Sequence, residues 1–516
     1  MAESRQADRR ALLGGAGLAF LGRLGALVEA ASLPIFLALY GPVLFGLYAT
    51  LWAAARLLSA GTQMGMVLAL QRFVPALEDD EAAVHRVVGI AFVTVLFAGV
   101  LAALAVVAAA PEIAARLDRE GALGSDAIGI VRLYAWILPG WSMVEVLTAS
   151  VRARRRFGPE IRVRVFYEQA ARLVLATGLA FAGVHRYGLF VAHLASVLFA
   201  ALLAWRLTVR FYDRRRLLAI GGDPVLIRRV IGYALPLVPS ELIVRAFSEL
   251  PVVLLNQLLP GAQAAAAAGF YAIARKIASV LQLVYNAFDY VLSPLAAWRH
   301  GKADMRAVAD MYRYSTRLML VIGAIVAAGL AAASDLLVAL LGHEAGPVAP
   351  TLMLLLAGRY ASFLFGQAQA VVRTTMPSWL VLLNGLAGLA VMLAGVLLLA
   401  PARGPVGAAI GAAAGLIVMH ALAALELAVR YRLVAFSREL FRPLAVAWAA
   451  AAGLLAIDRA MAGWPASAQL LLLILLLVLS FALVLRYGLH DEDAEAFGSL
   501  ARRLRGRRGS AGQGKP

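Results

Sequence analysis

Three ionisable side chains occur at four-residue intervals in the apolar segment PSELIVRAFSELPVV, residues 239–253: Glu241, Arg245 and Glu249. A spacing of four places side chains on one face of an α-helix, with about 40° of rotation between successive residues. The surrounding residues 233–259 are numerous enough to cross a bilayer as a helix, which takes about 20 residues. Because a charged side chain at bilayer depth costs at least about 2.5 kcal/mol, this face is predicted to border a hydrated interior.

Charges recur inside other apolar segments, and two interpretations compete for them. Arg56 and Arg359 lie mid-segment with no carboxylate three or four residues away, which favours a position on a hydrated cavity. Glu168 and Arg172 have the i, i+4 spacing of an ion pair within one helix, which favours a structural role.

The composition indicates which elements must position these charges. The 516 residues are 62% hydrophobic and only 15% charged, whereas a soluble domain carries about 25% charged residues. Apolar runs of membrane-spanning length recur along the chain, so the fold class is an all-α polytopic membrane protein. No soluble stretch of domain size is left for a separate catalytic domain. The net charge of +18 lies in short connections between apolar runs, which argues against nucleic-acid binding.

Residues for metal or covalent chemistry are not evident. The chain has no cysteine, and its seven histidines have no metal-ligand spacing, so we expect no metal and no cofactor. Neither a Ser-His-Asp arrangement nor paired carboxylates occur, and no catalytic residue is assigned.

Hydropathy predicts about fourteen transmembrane helices. The arginine-rich connections fall on one side of this arrangement, which places both termini in the cytoplasm. The predicted helices are 11–40, 43–72, 86–110, 126–150, 163–184, 187–208, 230–259, 264–297, 309–333, 349–372, 377–400, 406–429, 442–461 and 467–487.

An internal repeat organises these helices. The motif GLYA at 46–49 returns as GFYA at 269–272, an offset of 223 (269 − 46). The preceding glycines, Gly41 and Gly261, are offset by 220 (261 − 41), and the same offset matches Glu29 to Glu249. Repeats with an even number of helices keep one orientation, so we expect two parallel six-helix lobes, 1–210 and 211–435. Two additional helices (436–490) and a basic cytoplasmic tail (491–516) would follow.

The stretch LALYGPVLFGLYATLWAAARLLSAGTQMGMVLALQRFVP, residues 37–75, resembles the opening of bacterial polysaccharide-biosynthesis flippases, O-antigen-type oligosaccharide flippases included. That family has a Gly-Pro-x-x-x-Gly-x-Tyr turn into its second helix and an Arg-Phe pair near the end of that helix. Glu249 and the following NQLLPG resemble the end of the family's seventh helix. The similarity covers roughly the first 430 residues. The matching residues near the start are Gly41, Pro42, Gly46, Tyr48, Arg72 and Phe73.

The resemblance implies a fold shared with multidrug-and-toxin-extrusion exporters and lipid II flippases. It implies a flippase in the bacterial inner membrane that moves a polyprenyl-diphosphate-linked oligosaccharide to the outer leaflet by alternating access. The alternatives are a cation-coupled drug exporter and a lipid II flippase; the chain lacks the Arg-x-x-Gly-x-x-Arg-Asp stretch usual in the latter. A membrane polymerase or ligase would need a large outer loop with catalytic residues, which the sequence does not contain. Polysaccharide polymerase machinery is a candidate partner.

These expectations give the intramembrane charges possible roles. An arginine can hold a diphosphate through two parallel hydrogen bonds while the polyprenyl tail stays in lipid. Glu241 and Glu249 would then keep Arg245 oriented while the site is empty. The predicted residues are Arg23, Arg56, Arg245 and Arg359 for substrate binding, and Glu29 and Glu249 for coupling to a proton or cation.

Overall fold

The computed structural model describes residues 26–154, 161–218, 223–341, 346–461 and 463–488, and the regular elements in these ranges are helical. The first helices are α1 Ala26–Thr62, α2 Met66–Ala76, α3 Glu81–Ala108, α4 Ala110–Leu117, α5 Ala127–Tyr134, α6 Ile137–Ala153, α7 Glu168–Phe181, α8 His185–Thr208, α9 Arg214–Leu218, α10 Pro224–Ala234 and α11 Val238–Leu258. Then follow α12 Ala262–Gly301, α13 Met305–Leu341, α14 Val348–Phe363, α15 Ala368–Thr375, α16 Ser378–Tyr431, α17 Arg438–Ala460 and α18 Ala466–Leu483.

Ten of the described helical segments are long and apolar enough to cross a membrane, or eleven if the bent pair α14 and α15 forms one span. The all-α polytopic fold class is thus confirmed, whereas the number fourteen is not. Two breaks account for part of the difference. α1 is interrupted at Gly41 (φ 78°) and α16 at Gly404 (φ 56°), so α1 contains parts of two successive predicted helices and α16 contains nearly all of two. A proline follows each glycine, and proline suits the first turn of the next helix.

The described residues form two compact units. The amino-terminal unit comprises residues 26–273 and 396–408, and the carboxy-terminal unit comprises 274–395 and 409–488. In the amino-terminal unit, α2, α3, α6 and α10 surround a buried apolar cluster that includes Met66, Val87, Val146 and Val230. In the carboxy-terminal unit, α17 and α18 pack against α13. The division into lobes at 1–210 and 211–435 stays a prediction.

Helices α1 and α12 approach each other closely at the repeated motif. A Cβ atom placed on Gly269 would lie 3.1 Å from the Cα atom of Gly46. A Cβ atom placed on Gly46 would overlap the carbonyl oxygen of Ala265. Inside a membrane, where apolar burial does not drive helices together, small residues permit such close backbone contact.

Gly46→Ala is therefore expected to lower the free energy of unfolding by about 1–3 kcal/mol, because α1 and α12 must separate to admit the methyl group. Gly61→Ala in the same helix is the matched control. Its new methyl group would meet no atom within 4 Å, so its stability should be equal to that of the wild type or slightly higher. Thermal unfolding of the detergent-purified variants measures both, and equal losses would contradict the packing argument.

Candidate functional site

Two predicted site residues form an ion pair inside the amino-terminal unit. The Arg56 Nη1 atom on α1 lies 3.2 Å from the Glu249 Oε1 atom on α11. The Glu249 side chain is 1% exposed and the Arg56 side chain 18%. The Arg56 guanidinium also lies 5.8 Å from the ring centre of Trp52 and 5.9 Å from that of Trp141. The sequence indicated an intramembrane charge at each position, but their pairing depends on the contact between the two helices.

Arg245 lies one helical turn before Glu249 and is half-buried. Within the described part of the chain, no carboxylate oxygen lies within ion-pair distance of its guanidinium. Glu145 and Glu249 are close enough to act on it electrostatically, as are Arg56 and Arg164. The expected arrangement, with Glu249 held on Arg245, is therefore replaced by the contact of Glu249 with Arg56. Arg245 keeps a guanidinium whose donors can bind an anion without first breaking an ion pair.

A second ion pair lies beside Arg245. The Arg164 Nη2 atom is 2.5 Å from the Glu145 Oε1 atom. The Trp141 Nε1 group donates a hydrogen bond of 3.3 Å to the same carboxylate oxygen. Glu145 is buried in α6, and these two donors compensate for its removal from water.

Arg172 on α7 is fully buried, and its contacts cross between helices. Its Nη2 atom lies 3.9 Å from the Glu29 Oε1 atom on α1 and donates to the side-chain oxygen of Gln169. Its guanidinium stacks 4.7 Å from the ring centre of Trp52. The carboxylate that the structure brings within 4 Å is thus Glu29 and not Glu168, which the i, i+4 spacing had suggested as the partner.

His193 on α8 connects Arg172 to two tyrosines. The Arg172 Nη1 group lies 3.4 Å from the Nε2 atom of His193 and 3.4 Å from the hydroxyl oxygen of Tyr48. The hydroxyl groups of Tyr48 and Tyr134 lie 3.0 Å and 2.8 Å from the Nδ1 atom of His193. Because arginine only donates, Nε2 accepts in this arrangement, and a neutral ring then carries its proton on Nδ1. Arg172 and His193 are both visible in the sequence as polar residues inside apolar segments, but sequence reasoning did not bring them together.

Trp52 joins these contacts into one cluster, since it stacks with both Arg56 and Arg172. We call the charged residues in these contacts, which are given at the end of this paragraph, the arginine cluster. Its acidic and basic side chains nearly balance, so it can stay charged within the membrane and can bind an anion when an arginine changes partner. Among the described residues, no group of three or more metal-ligating side chains could hold a metal ion. The arginine cluster consists of Arg56, Arg164, Arg172 and Arg245 with Glu29, Glu145 and Glu249.

The other predicted substrate-binding residues lie elsewhere. Arg359 belongs to the carboxy-terminal unit, where its Nη1 group donates a hydrogen bond of 2.6 Å to the side-chain oxygen of Gln282. Arg23 lies outside the residues that the structure describes.

Comparison with solved structures shows the fold. An inward-facing multidrug resistance transporter of the MATE family, in the MOP superfamily, aligns with a TM-score of 0.56 and 15% identity over 82% of this chain and 94% of its own. The lipid II flippase MurJ, in an inward closed conformation, aligns with a TM-score of 0.55 and 10% identity over 88% of this chain and 99% of its own. A MOP superfamily transporter from Pyrococcus furiosus is described as having a binding pocket of reversed polarity. It aligns with a TM-score of 0.53 and 16% identity over 82% of this chain and 96% of its own.

Comparison with sequences shows the family. No curated protein matches the sequence significantly. Residues 38–344, more than half of the chain, match the family model described as polysaccharide biosynthesis protein. The chain therefore belongs to the polysaccharide biosynthesis protein family, and it has the fold of the MOP superfamily of membrane transporters.

Proposed function

We propose that the protein is a flippase that moves a polyprenyl-diphosphate-linked oligosaccharide, a polysaccharide or O-antigen precursor, across the bacterial inner membrane. The observation that carries this proposal is Arg245, a half-buried guanidinium without a carboxylate partner in the described residues, next to the paired charges of the arginine cluster. Membership in the polysaccharide biosynthesis family connects this anion-binding chemistry to a lipid-linked glycan.

The chemistry of such a substrate accounts for the arginine cluster. A diphosphate and a glycan cannot cross hydrocarbon without replacing their hydrogen bonds to water. Arg245 would bind the diphosphate first, and Arg56 would follow by exchanging Glu249 for a phosphate oxygen. Glu249, once released, could take up a proton or cation, which is the coupling role proposed for it and for Glu29. Arg23 and Arg359 remain proposed substrate-binding residues.

Alternating access of two six-helix lobes is the proposed mechanism. Gly41 and Gly261, matched by the repeat, both have positive φ, 78° and 67°, and precede the repeated motif by five residues (46 − 41) and eight residues (269 − 261). Gly46 and Gly269, also matched, lie against each other, as expected where two related copies meet at a symmetry axis. These features support a parallel repeat, and polysaccharide polymerase machinery would receive the product.

Reconstitution into liposomes tests the function. The probes are a polyprenyl-diphosphate oligosaccharide and lipid II, each with an NBD fluorophore on its polar part, and ethidium under a proton or sodium gradient. Dithionite, which does not cross the membrane, quenches only the outer leaflet and so reports flipping. We expect flipping of the oligosaccharide lipid and no uptake of ethidium. Gradient-driven ethidium transport without flipping would instead identify a drug exporter, and a preference for lipid II would identify a lipid II flippase.

The proposed orientation has a direct test because the chain contains no cysteine. Cysteines at the exposed positions Arg214 and Glu120 should react differently with a membrane-impermeant maleimide in intact cells. We expect labelling at Glu120→Cys, and labelling at Arg214→Cys only after permeabilisation, because the arginine-rich connection is cytoplasmic. The reverse pattern would invert the topology, and labelling of both in intact cells would refute the alternation of the connections.

A further inference from the structure

A polar stripe follows helix α12 through the carboxy-terminal unit. Its residues recur every three or four positions and are half-exposed, whereas intervening side chains such as Leu281, Val284 and Phe288 are buried. From its first to its last residue the stripe extends over 18 residue steps (293 − 275), or about 27 Å of helix, close to the thickness of the hydrocarbon core. The stripe consists of Arg275, Ser279, Gln282, Asn286, Asp289 and Ser293.

Side chains of the stripe form two hydrogen-bonded pairs along the helix. Gln282 Nε2 donates to Asn286 Oδ1 at 3.1 Å, and Ser293 Oγ donates to Asp289 Oδ1 at 2.9 Å. Two arginines from the broken helix pair α14 and α15 attach to the stripe. Arg359 Nη1 donates to Gln282 Oε1 at 2.6 Å, and Arg373 Nη2 donates to Asp289 Oδ1 at 2.7 Å.

The polar side of α12 is not expected to face the lipid hydrocarbon. A carboxylate, two amides and two attached arginines would each lose hydrogen bonds to water there, so the stripe must border a hydrated space. One amide of the stripe also has a hydrogen-bond donor that the described protein atoms do not use. Asn286 accepts from Gln282, but its Nδ2 group donates to no protein atom among the described residues. A pure clamp between helices would need the Asp289–Arg373 and Gln282–Arg359 contacts and would not need Asn286.

We propose that this stripe is a glycan-binding track, in which Gln282 and Asn286 exchange hydrogen bonds with the hydroxyl groups of the transported oligosaccharide. Each sugar hydroxyl both donates and accepts, and a side-chain amide offers both functions without a charge. Successive positions along α12 give a longer glycan more partners, so the track acts on the sugars, whereas the arginine cluster acts on the diphosphate. The proposal rests on the proposed flippase function.

The test uses two probes in the liposome assay: NBD-labelled polyprenyl-diphosphate N-acetylglucosamine and the corresponding tetrasaccharide. The double variant Gln282→Leu/Asn286→Leu keeps the side-chain size and removes the amides. Since each hydrogen bond contributes about 0.5–1.5 kcal/mol, we expect the tetrasaccharide to flip about tenfold more slowly and the monosaccharide to change less than about twofold. Gln263→Leu, at an exposed position near the start of the same helix and before the stripe, is the control and should match the wild type.

Each other outcome is decisive. Equal rates for wild type and double variant on both probes overturn the glycan track while leaving the flippase function intact. Equal slowing on both probes also overturns it, because the amides would then act on the conformational cycle. If the wild type moves neither probe, the flippase function itself fails, and the glycan track fails with it. Should the double variant not accumulate in membranes, Gln282→Met, which keeps an unbranched chain of similar length, must show the same dependence on glycan length.

Discussion

Arg56→Ala is expected to destabilise the protein by about 3 kcal/mol or more and to abolish flipping. The substitution removes a cation that lies 3.2 Å from the Glu249 carboxylate, which is 1% exposed. Loss of one partner from a buried ion pair leaves the other charge less well compensated, and such losses amount to about 3–5 kcal/mol. Thermal unfolding of the purified variant measures the stability, and the liposome assay measures the flipping.

A double variant separates the structural part of this effect from the functional part. In Arg56→Met/Glu249→Gln both charges are gone, while the introduced amide keeps an oxygen and a nitrogen for the remaining contacts at that position. Replacement of a whole buried ion pair by neutral groups is often close to neutral, so we expect most of the stability to return. Flipping should stay absent, because neither the anion-binding group nor the coupling carboxylate is restored. Full flipping by the double variant would show that the pair is structural only.

Arg172→Met in the amino-terminal unit is expected to cost about 3–5 kcal/mol of folding stability. Its guanidinium is fully buried, faces Glu29 and contacts Tyr48 and His193. Arg172→Lys should recover little, because an ammonium group cannot both stack on Trp52 as a plane and reach three partners. Thermal unfolding in detergent measures the loss.

The matched control is Arg186→Met, which removes an exposed ion pair of 3.5 Å with Asp126. The Arg186 side chain is 58% exposed, so its pair should contribute less than about 1 kcal/mol. Equal unfolding temperatures for Arg172→Met and Arg186→Met would contradict the assigned importance of the buried network. Full recovery by Arg172→Lys would contradict the argument from guanidinium geometry.

Apolar runs were sufficient to predict the helical class, because any bilayer-crossing segment must satisfy its backbone hydrogen bonds internally. The predicted number of spans is not confirmed. The backbone is non-helical at Gly41 within α1 and at Gly404 within α16, and each of these glycines lies at the boundary between two predicted helices. The Gly-Pro pairs at both positions were visible in the sequence, but how the helix continues after them depends on the packing of its neighbours.

The candidate site, too, could be predicted only in part from the sequence. Arg56, Arg245 and Glu249 could be selected from sequence, since a charge in an apolar run is costly and therefore needs a reason. Their partners could not be selected, because the contact of Arg56 with Glu249 and that of Arg172 with Glu29 join helices distant in sequence. The i, i+4 spacing of Glu168 and Arg172 indicates only that a contact between them is sterically possible. Likewise the polar positions of α12 are periodic in the sequence, but Arg359 and Arg373 reach them only in the fold.

The flipping rate of Arg245→Ala in liposomes, relative to the wild type and to Arg245→Lys, is the decisive measurement for diphosphate binding by the arginine cluster. Arg245 makes no ion pair among the described residues, so its removal should leave the unfolding temperature unchanged, unlike removal of Arg56 or Arg172. Because hydrogen bonds to a charged ligand contribute about 1.5–3 kcal/mol, we expect the rate to fall at least about tenfold. Arg245→Lys should recover little of it, since a point charge replaces a two-pronged donor. A stable Arg245→Ala variant that flips at the wild-type rate would contradict the proposed site.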